Sequence, residues 1–285
     1  PTPGQQGTIN VSTRLPNGFP VATGLFPAGG PVAQALGASA LTPETSTNYT
    51  IGFTANLAQL DLTVDFYRIE LDDATYAIST RDVSTDPDSG EAYQNFLLLD
   101  GAGVAGANSI GGVLYFTNGF DISSEGVDIV ASYPLNWDTA GSTNLSMALN
   151  YTKKAYESDP SAFRNAEAQF DYVNYDPNWR GVFTAAHTFN NDLRIVARAS
   201  YYGEGENANS GTSRRQVQDA VWFTDLEAQY QINDTFRISG GGRNIFDEYP
   251  NEGNIGDTCC GRVYESGSVL DWHGSYWFAR LTADF

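Results

Sequence analysis

Charged side chains recur at alternate positions in the C-terminal half of the sequence. Their charges and their spacing would allow them to act together in binding. They oppose apolar residues on the same segments, so an extended chain would present them together on one face. That face could bind a charged partner or line the route of a polar solute. The simpler interpretation is that mixed charges pair with one another in water. The set comprises Arg194, Arg198, Asp225, Glu227, Arg237, Arg243, Arg280 and Asp284.

Cys259 and Cys260 are adjacent and are the two cysteines of the chain. Neighbouring Cα atoms lie about 3.8 Å apart, which is below the usual disulfide separation of about 4.4 to 6.8 Å. A vicinal disulfide would therefore be strained but feasible, and pairing with a cysteine in another part of the protein is the alternative. A metal site is a weaker interpretation, because no further Cys or His lies at ligand spacing. We predict that both thiols are oxidised, with the vicinal bond slightly favoured.

Three further patterns give weak signals for sites. The Gly-rich stretch 101–112 lacks the Lys-Ser/Thr that completes a phosphate-binding loop, so a flexible loop is the better interpretation. The two histidines, His187 and His273, form no arrangement with a nucleophile, and we expect neither enzymatic activity nor a cofactor. An acidic cluster lacks the spacing of an EF-hand, which favours a solvated loop over a calcium site. It comprises Asp82, Asp86, Asp88 and Glu91.

The composition excludes some functions and favours β-structure. The 285 residues include 15 Lys and Arg against 34 Asp and Glu, and the net charge of -19 repels nucleic acid. Aromatic residues make up 13% and there are 29 Gly, a mixture typical of strands and turns. No run of about 18 apolar residues exists, which excludes a transmembrane helix. The mean hydropathy of -0.32 still permits a membrane barrel, because barrel strands alternate polar and apolar residues.

Alternation with a period of two dominates the chain after residue 41. In 49–57 and 193–201, for example, every second residue is apolar. We predict about nine strands, each long enough to cross a bilayer, which takes about 9–11 residues.

The connections between these strands alternate between short and long. Outer-membrane barrels have short periplasmic turns and long extracellular loops. A secreted β-sandwich or propeller also fits the alternation of residues, but it gives no reason to sort connections by length. The short turns lie at 58–59, 136–142, 190–191 and 233–234, and the long connections at 74–112, 157–177, 204–219 and 248–273.

The last strand carries apolar residues at alternate positions and ends the chain on an aromatic residue. Trp277, Leu281 and Phe285 share one face with Ala279 and Ala283, a pattern that looks like an outer-membrane assembly signal. An exposed apolar edge would promote aggregation unless it pairs, as the closing strand of a barrel does. At the other end, 1–41 is rich in Pro, Gly and Thr without a sustained period, and we predict a long loop there.

Four segments resemble TonB-dependent receptors in their order and spacing. ALTPETSTNYTIGF at 40–53 and YFTNGFDISSEGVDIVASY at 115–133 look like strands within the barrel of that family. GGGRNIFDEYP at 240–250 resembles its penultimate strand, and YWFARLTADF at 276–285 resembles its closing strand. The most specific part of the resemblance is the set Asn244, Phe246, Asp247 and Tyr249.

The resemblance implies an all-β fold, namely a transmembrane antiparallel β-barrel of which this chain supplies the last nine or so of about 22 strands. Residues 1–41 would be an extracellular loop segment, and 42–285 the C-terminal barrel strands with long extracellular loops. The chain begins at Pro1 rather than Met, and an odd number of strands does not close a bacterial barrel. We therefore expect the plug domain and the remaining strands to lie outside this chain.

The resemblance also implies a function and a location. It implies TonB-dependent transport of a scarce nutrient of the siderophore-iron, cobalamin or oligosaccharide class across the outer membrane of a Gram-negative bacterium. The alternative is a non-transporting surface barrel or adhesion module. The implied partners are outer-membrane lipid, the plug domain, the TonB complex through the missing N-terminal part, and the barrel-assembly machinery.

Two groups of residues take their possible roles from this resemblance. The alternating charges described above would face the lumen and, as a group, would include contacts with the plug. Aromatic residues near the loop bases would either stack on a ligand or form a girdle at the membrane interface. They are Trp222, Tyr264, Trp272, Tyr276 and Trp277.

Overall fold

The computed structural model describes residues 5, 9–14, 21–208, 215–253, 263–264 and 269–283. Within these ranges strands predominate. None of the helices described there has the length and apolar character needed to cross a membrane. In chain order the elements are β1 (Ile9–Arg14), β2 (Val21–Leu25), α1 (Pro31–Ala35), β3 (Thr45–Leu57), β4 (Leu60–Ala77), β5 (Arg81–Asp82), a 3-10 turn (Pro87–Ser89), α2 (Glu91–Gly101), a 3-10 turn (Ala107–Ser109), β6 (Ile110–Leu114), β7 (Phe116–Asn136), a 3-10 turn (Asp138–Ala140), β8 (Ser142–Tyr156), α3 (Ala166–Asn174), β9 (Trp179–Thr188), β10 (Leu193–Tyr202), β11 (Gly205–Asn207), β12 (Gln216–Gln218), β13 (Val221–Gln231), β14 (Phe236–Arg243) and β15 (Tyr276–Ala283).

Nine of these strands form one sheet in the order β3-β4-β7-β8-β9-β10-β13-β14-β15. The order of the strands in the sheet is their order along the chain, with the strands of other sheets left out. Each pair of neighbours from β8 to β15 is antiparallel. The predicted all-β class and the nine strands of one antiparallel sheet are therefore confirmed. The short turns at 58–59 and 190–191 also connect strands, with Ala58 and Asp192 at positive φ.

Alternating side chains divide this sheet into an apolar face and a polar face. On the apolar face, the register places Met147, Phe183 and Ala199 side by side. The face is open, since Ile51 is 74% exposed and Leu281 is 65% exposed. A water-soluble β-sandwich would bury such residues between its two sheets, so their exposure indicates a surface that lipid covers.

Aromatic residues line the apolar face at the end of the sheet that carries the long connections. Tyr151 pairs with Trp179, with ring centroids 4.8 Å apart, and Tyr201 pairs with Trp222 at the same distance. His187 lies at the opposite end of β9, eight positions after Trp179. At about 3.3 Å per residue this span is about 26 Å along the strand, comparable with the apolar band of about 25 Å in outer-membrane barrels. For Trp222 this position favours the girdle interpretation.

The chain divides into two compact units, which we describe separately. The sheet unit comprises Asn48–Ile69, Ser124–Lys154 and Phe170–Phe285. The loop unit comprises Pro1–Thr47, Glu70–Ser123 and Ala155–Gln169. In the loop unit, β1, β2, β6 and β5 form a four-stranded sheet in that order, and β2 and β6 are parallel.

A small hydrophobic core stabilises the loop unit. Leu99 of α2, Val113 of β6 and Tyr115 are almost fully buried, and they belong to one cluster with Leu36, just after α1. The Tyr115 hydroxyl donates a 3.3 Å hydrogen bond to the Leu36 carbonyl, and burial raises the pKa of this phenol. Burial of each large apolar side chain contributes about 1.5–3 kcal/mol, which is enough to order short segments of weak intrinsic propensity.

The sequence predicted loops for much of this unit, and the structure differs. It places β1, β2 and α1 within 1–41, and α2 with part of β6 within 74–112. Gly112, in the stretch expected to be a flexible loop, is buried in β6, where an added Cβ would lie 2.9 Å from Thr23 Oγ1. Strands this short do not show a period in the sequence, so packing between distant segments decides them.

Candidate functional site

The charged residues identified from the alternating pattern lie on the polar face of the nine-stranded sheet. In the registers of β10, β13, β14 and β15 they take the parity opposite to that of the apolar residues. The described members are Arg194, Arg198, Asp225, Glu227, Arg237, Arg243 and Arg280, while Asp284 lies outside the described residues.

Three of these side chains form an ionic network between β13 and β14. Arg243 Nη1 lies 2.9 Å from Asp225 Oδ2, and Arg243 Nη2 lies 3.9 Å from Glu227 Oε2. Gln229, two residues further along β13, donates from Nε2 to Glu227 Oε1 over 2.9 Å. The side chains of Arg243, Asp225 and Glu227 are 32%, 20% and 16% exposed. We refer to this arrangement as the charge network.

Phe278 extends the charge network to β15. The guanidinium carbons of Arg243 and Arg280 each lie 5.7 Å from the centre of its ring, a distance at which a cation is attracted to an aromatic face. Gly241 lies opposite Phe278 in the register, and an added Cβ there would lie 2.3 Å from the Leu226 carbonyl oxygen. Neither Phe278 nor Gly241 was identified as a site residue from the sequence. A Phe at a polar position of the last strand was the available signal.

The remaining three arginines lie on the polar face outside the charge network. Arg198 is directly across from Asp225 in the register, and Arg194 is across from Gln229. Arg237 lies between Gln231 of β13 and Thr282 of β15. The structure therefore brings Asp225, Glu227, Arg243 and Arg280 together, and it distributes the other three along the same face.

The segment that follows β14 begins with a tight turn around Asn244. This residue has φ of 47° and is buried. Its side chain forms two hydrogen bonds with the backbone of Glu248, one as donor and one as acceptor. Asn244 Nδ2 donates to the Glu248 carbonyl over 2.7 Å, and the Glu248 amide donates to Asn244 Oδ1 over 3.0 Å. The Asn244 amide also donates to Asp225 Oδ1 over 3.0 Å, so the same carboxylate anchors both the turn and Arg243.

A second carboxylate connects this turn to the chain just before β15. Asp247 accepts hydrogen bonds from the Ser275 amide over 2.8 Å and from the Tyr249 hydroxyl over 3.0 Å. These bonds, the Ser275 amide first, lower the pKa of Asp247, and the carboxylate in turn raises the pKa of Tyr249. Gly274 has φ of 73°, and a Cβ there would lie 2.2 Å from the Tyr249 hydroxyl. The Asn244–Tyr249 motif is therefore a clamp that sets β14 and β15 side by side.

The other predicted sites have varied outcomes. Trp277 and Leu281 of the predicted assembly signal lie on the exposed apolar face of β15, and Phe285 lies outside the described residues, so the signal stays a prediction. Cys259 and Cys260 also lie outside the described residues, and the disulfide stays a prediction. In the acidic cluster, Asp86 Oδ1 accepts from the Asp88 amide and caps a 3-10 turn. Over the described ranges, no group of three or more His, Cys, Asp or Glu is placed to hold a metal ion.

Comparison with known proteins identifies the family. The family model "TonB dependent receptor-like, beta-barrel" matches residues 2–245. A structure of the ferric enterobactin receptor from Pseudomonas aeruginosa aligns with a TM-score of 0.58 at 14% identity, over 93% of this chain and 33% of that one. The FrpB iron transporter from Neisseria meningitidis aligns with a TM-score of 0.54 at 14% identity, over 85% and 32%. The copper transporter OprC aligns with a TM-score of 0.54 at 15% identity, over 85% and 31%.

These likenesses between structures concern the fold, because the sequence identities are low. No curated protein sequence matches the chain. The chain spans about a third of the length of each of the three receptors. Since the family model covers most of the chain, and the sheet has one face suited to lipid, the chain belongs to the TonB-dependent receptor family and forms part of the β-barrel of a Gram-negative outer-membrane protein.

Proposed function

We propose that the protein carrying this chain imports a scarce nutrient across the outer membrane with energy from the TonB complex. The observation that carries the proposal is the charge network, which fixes Arg243, Asp225 and Glu227 on the face opposite to lipid. A plugged barrel needs a wall complementary to its plug, and charged side chains held in a fixed arrangement can supply one. The membership of the receptor family supports the same function.

The polar face is proposed as the wall against which a plug domain packs. Arg194, Arg198 and Arg237 point the same way as the charge network and add positive charge around it. Charged groups in an enclosed, partly dry lumen are stabilised when an opposite charge faces them. Acidic side chains of a plug would complement these arginines. Movement of the plug would then break a limited number of ion pairs.

The loop unit is proposed to lie on the extracellular side. In outer-membrane barrels the long connections are extracellular, and the loop unit contains the residues between β4 and β7. The nutrient is proposed to belong to the siderophore-iron, cobalamin or oligosaccharide class. The ferric enterobactin receptor and the iron and copper transporters that share the fold favour a metal-containing nutrient among these.

The test is uptake by a Gram-negative strain that expresses the complete gene and lacks its own receptors. We expect growth on one limiting nutrient (a ferric siderophore, cobalamin or an oligosaccharide) to depend on both the receptor and an intact TonB protein. Growth that persists without TonB would refute energised transport and favour passive diffusion. Equal growth with and without the receptor on all three classes, with the receptor present at the surface, would favour the adhesion module.

A further inference from the structure

A polar cavity of about 210 Å³ lies in the sheet unit, apart from the charge network. Its wall contains Lys154 near the end of β8 and Arg180 near the start of β9, with Asp176 from the chain just before β9. The other lining residues are Asn150, Thr152, Val173, Pro177 and Asn178. All but Val173 and Pro177 carry polar side chains, so the cavity suits an oxygen-rich group rather than an apolar one.

Among the residues that line the cavity, two carry a positive charge and one a negative charge. Lys154 Nζ lies 2.5 Å from Asp176 Oδ2, and Arg180 Nη2 lies 3.5 Å from Asp176 Oδ1. One carboxylate thus serves two cations, and these three lining side chains together carry a charge of about +1 at neutral pH. A second carboxylate, that of Asp128, is hydrogen-bonded to the lining residue Asn150. The side chains of Lys154 and Arg180 are 33% and 42% exposed, so both remain accessible.

Hydrogen bonds within the wall hold the cavity in shape. Asn150 Nδ2 donates to Asp128 Oδ1 over 2.7 Å, and Thr152 Oγ1 donates to Asn150 Oδ1 over 3.0 Å. The Tyr67 hydroxyl also bonds to Thr152. Asn150 and Thr152 are therefore hydrogen-bonded within the wall, whereas Lys154 and Arg180 are held by Asp176 and stay partly exposed to the cavity. On the side of the helix α3, Tyr172 places its ring 5.6 Å from Lys154 Nζ.

The cavity lies on the polar face toward the end with the long connections. Arg180 pairs with Tyr202, which pairs with Val221. Asp225 of the charge network lies four residues further along β13, which is about 13 Å at about 3.3 Å per residue. A solute that enters from the end of the sheet with the long connections would reach the cavity before it reached the charge network.

We propose that this cavity binds the anionic oxygen group of a small solute, such as a carboxylate or a phosphate, between Lys154 and Arg180. This inference rests on the proposed transport function and narrows it to a nutrient that carries negative charge. The bound anion would share the two cations with Asp176. Asp176 therefore limits the affinity, since it competes with the solute for the same positive charge.

Substitution of Asp176 distinguishes a binding site from a structural ion pair. Loss of this carboxylate should strengthen anion binding if the cavity is a binding site, and should weaken it if the carboxylate only holds the cavity in shape. We expect Asp176→Asn to tighten citrate binding to the purified complete receptor about tenfold, and Lys154→Gln and Arg180→Gln each to weaken it about tenfold. Arg180→Lys, which keeps the charge, should stay within a few-fold of the wild type. The matched control is Lys153→Gln, because Lys153 is the next residue and lies on the opposite face of β8; it should leave the affinity unchanged.

Isothermal titration with citrate, with inorganic phosphate and with neutral maltose measures these affinities. Saturable binding of citrate or phosphate but not maltose, with the expected signs, supports the anion site. Binding of neither anion, or an Asp176→Asn variant that folds normally and binds citrate more weakly, overturns it. Retention of the heat-dependent gel shift shows that each variant folds. Because binding to the purified receptor needs no TonB energy, the anion site can fail while transport stands, and transport can fail while citrate still binds.

Discussion

Removal of Arg243 should destabilise the barrel through the charge network. Arg243→Ala deletes the 2.9 Å ion pair with Asp225 and the contact with the Phe278 ring. A hydrogen bond between charged groups contributes about 1.5–3 kcal/mol, and a partly exposed cation-ring contact about 0.5–1 kcal/mol. Arg243 is one-third exposed, so water recovers part of this energy. We therefore expect the free energy of unfolding to fall by about 2 kcal/mol.

The assay is urea unfolding of the complete receptor in lipid vesicles, followed by tryptophan fluorescence. The control is Arg194→Ala, on the same face but across from a neutral Gln229, for which we expect a change within about 0.5 kcal/mol. A double-mutant cycle of Arg243→Ala with Asp225→Ala should give a coupling energy of about 1 kcal/mol or more. Equal losses for the two arginine variants, together with a coupling energy near zero, would refute the reasoning.

Three further substitutions test the clamp and the two faces of the sheet. Gly274→Ala should destabilise the barrel more than Gly103→Ala, because the two glycines have φ of 73° and 74° but a Cβ clashes only at the first; equal midpoints in urea would contradict the clamp. The pKa of Asp247 is held below its unfolded value, so its contribution is present above about pH 4 and is lost as the pH falls through the lowered pKa. Unfolding between pH 2 and 6 should therefore depend less on pH in Asp247→Asn than in the wild type, and parallel curves would exclude this role. Ala199→Arg, at the middle of the apolar face, should cost about 2–4 kcal/mol in vesicles, whereas Ser200→Arg on the polar face should cost less than about 0.5 kcal/mol; similar costs would show that the faces are misassigned.

The alternation of residues determined which side chains share a face of the sheet. In an extended chain successive side chains point to opposite sides whatever the partner strand, so the polar parity of Arg194 and Asp225 could be read directly. The alternation also located the strands approximately, whereas their lengths, from 8 residues in β14 to 21 in β7, were not predicted. The motif that contains Asn244 and Asp247 was assigned to the penultimate strand, whereas the structure ends β14 at Arg243 and places both residues at positive φ in the turn that follows. Short polar side chains tolerate that conformation.

The contacts across the sheet followed from the register and could not be read from the sequence. A shift of two residues between β13 and β14 would separate Arg243 from Asp225 while keeping every side chain on its own face. The same holds for Phe278, whose position between two arginines depends on the pairing of β14 with β15. The charge network was therefore predicted as a set of residues but not as a geometry.

The loop unit and the polar cavity depended entirely on tertiary structure. Val113 lies in a strand of five residues, too short for a detectable period, and Leu99 lies in a helix that was predicted from the sequence as part of a loop. Both become ordered because distant parts of the chain bury them together. Lys154 and Arg180 gain their possible role from the carboxylate that the chain before β9 places between them. Local sequence determines which way a side chain points, whereas the distance between side chains on different strands is a property of the folded chain alone.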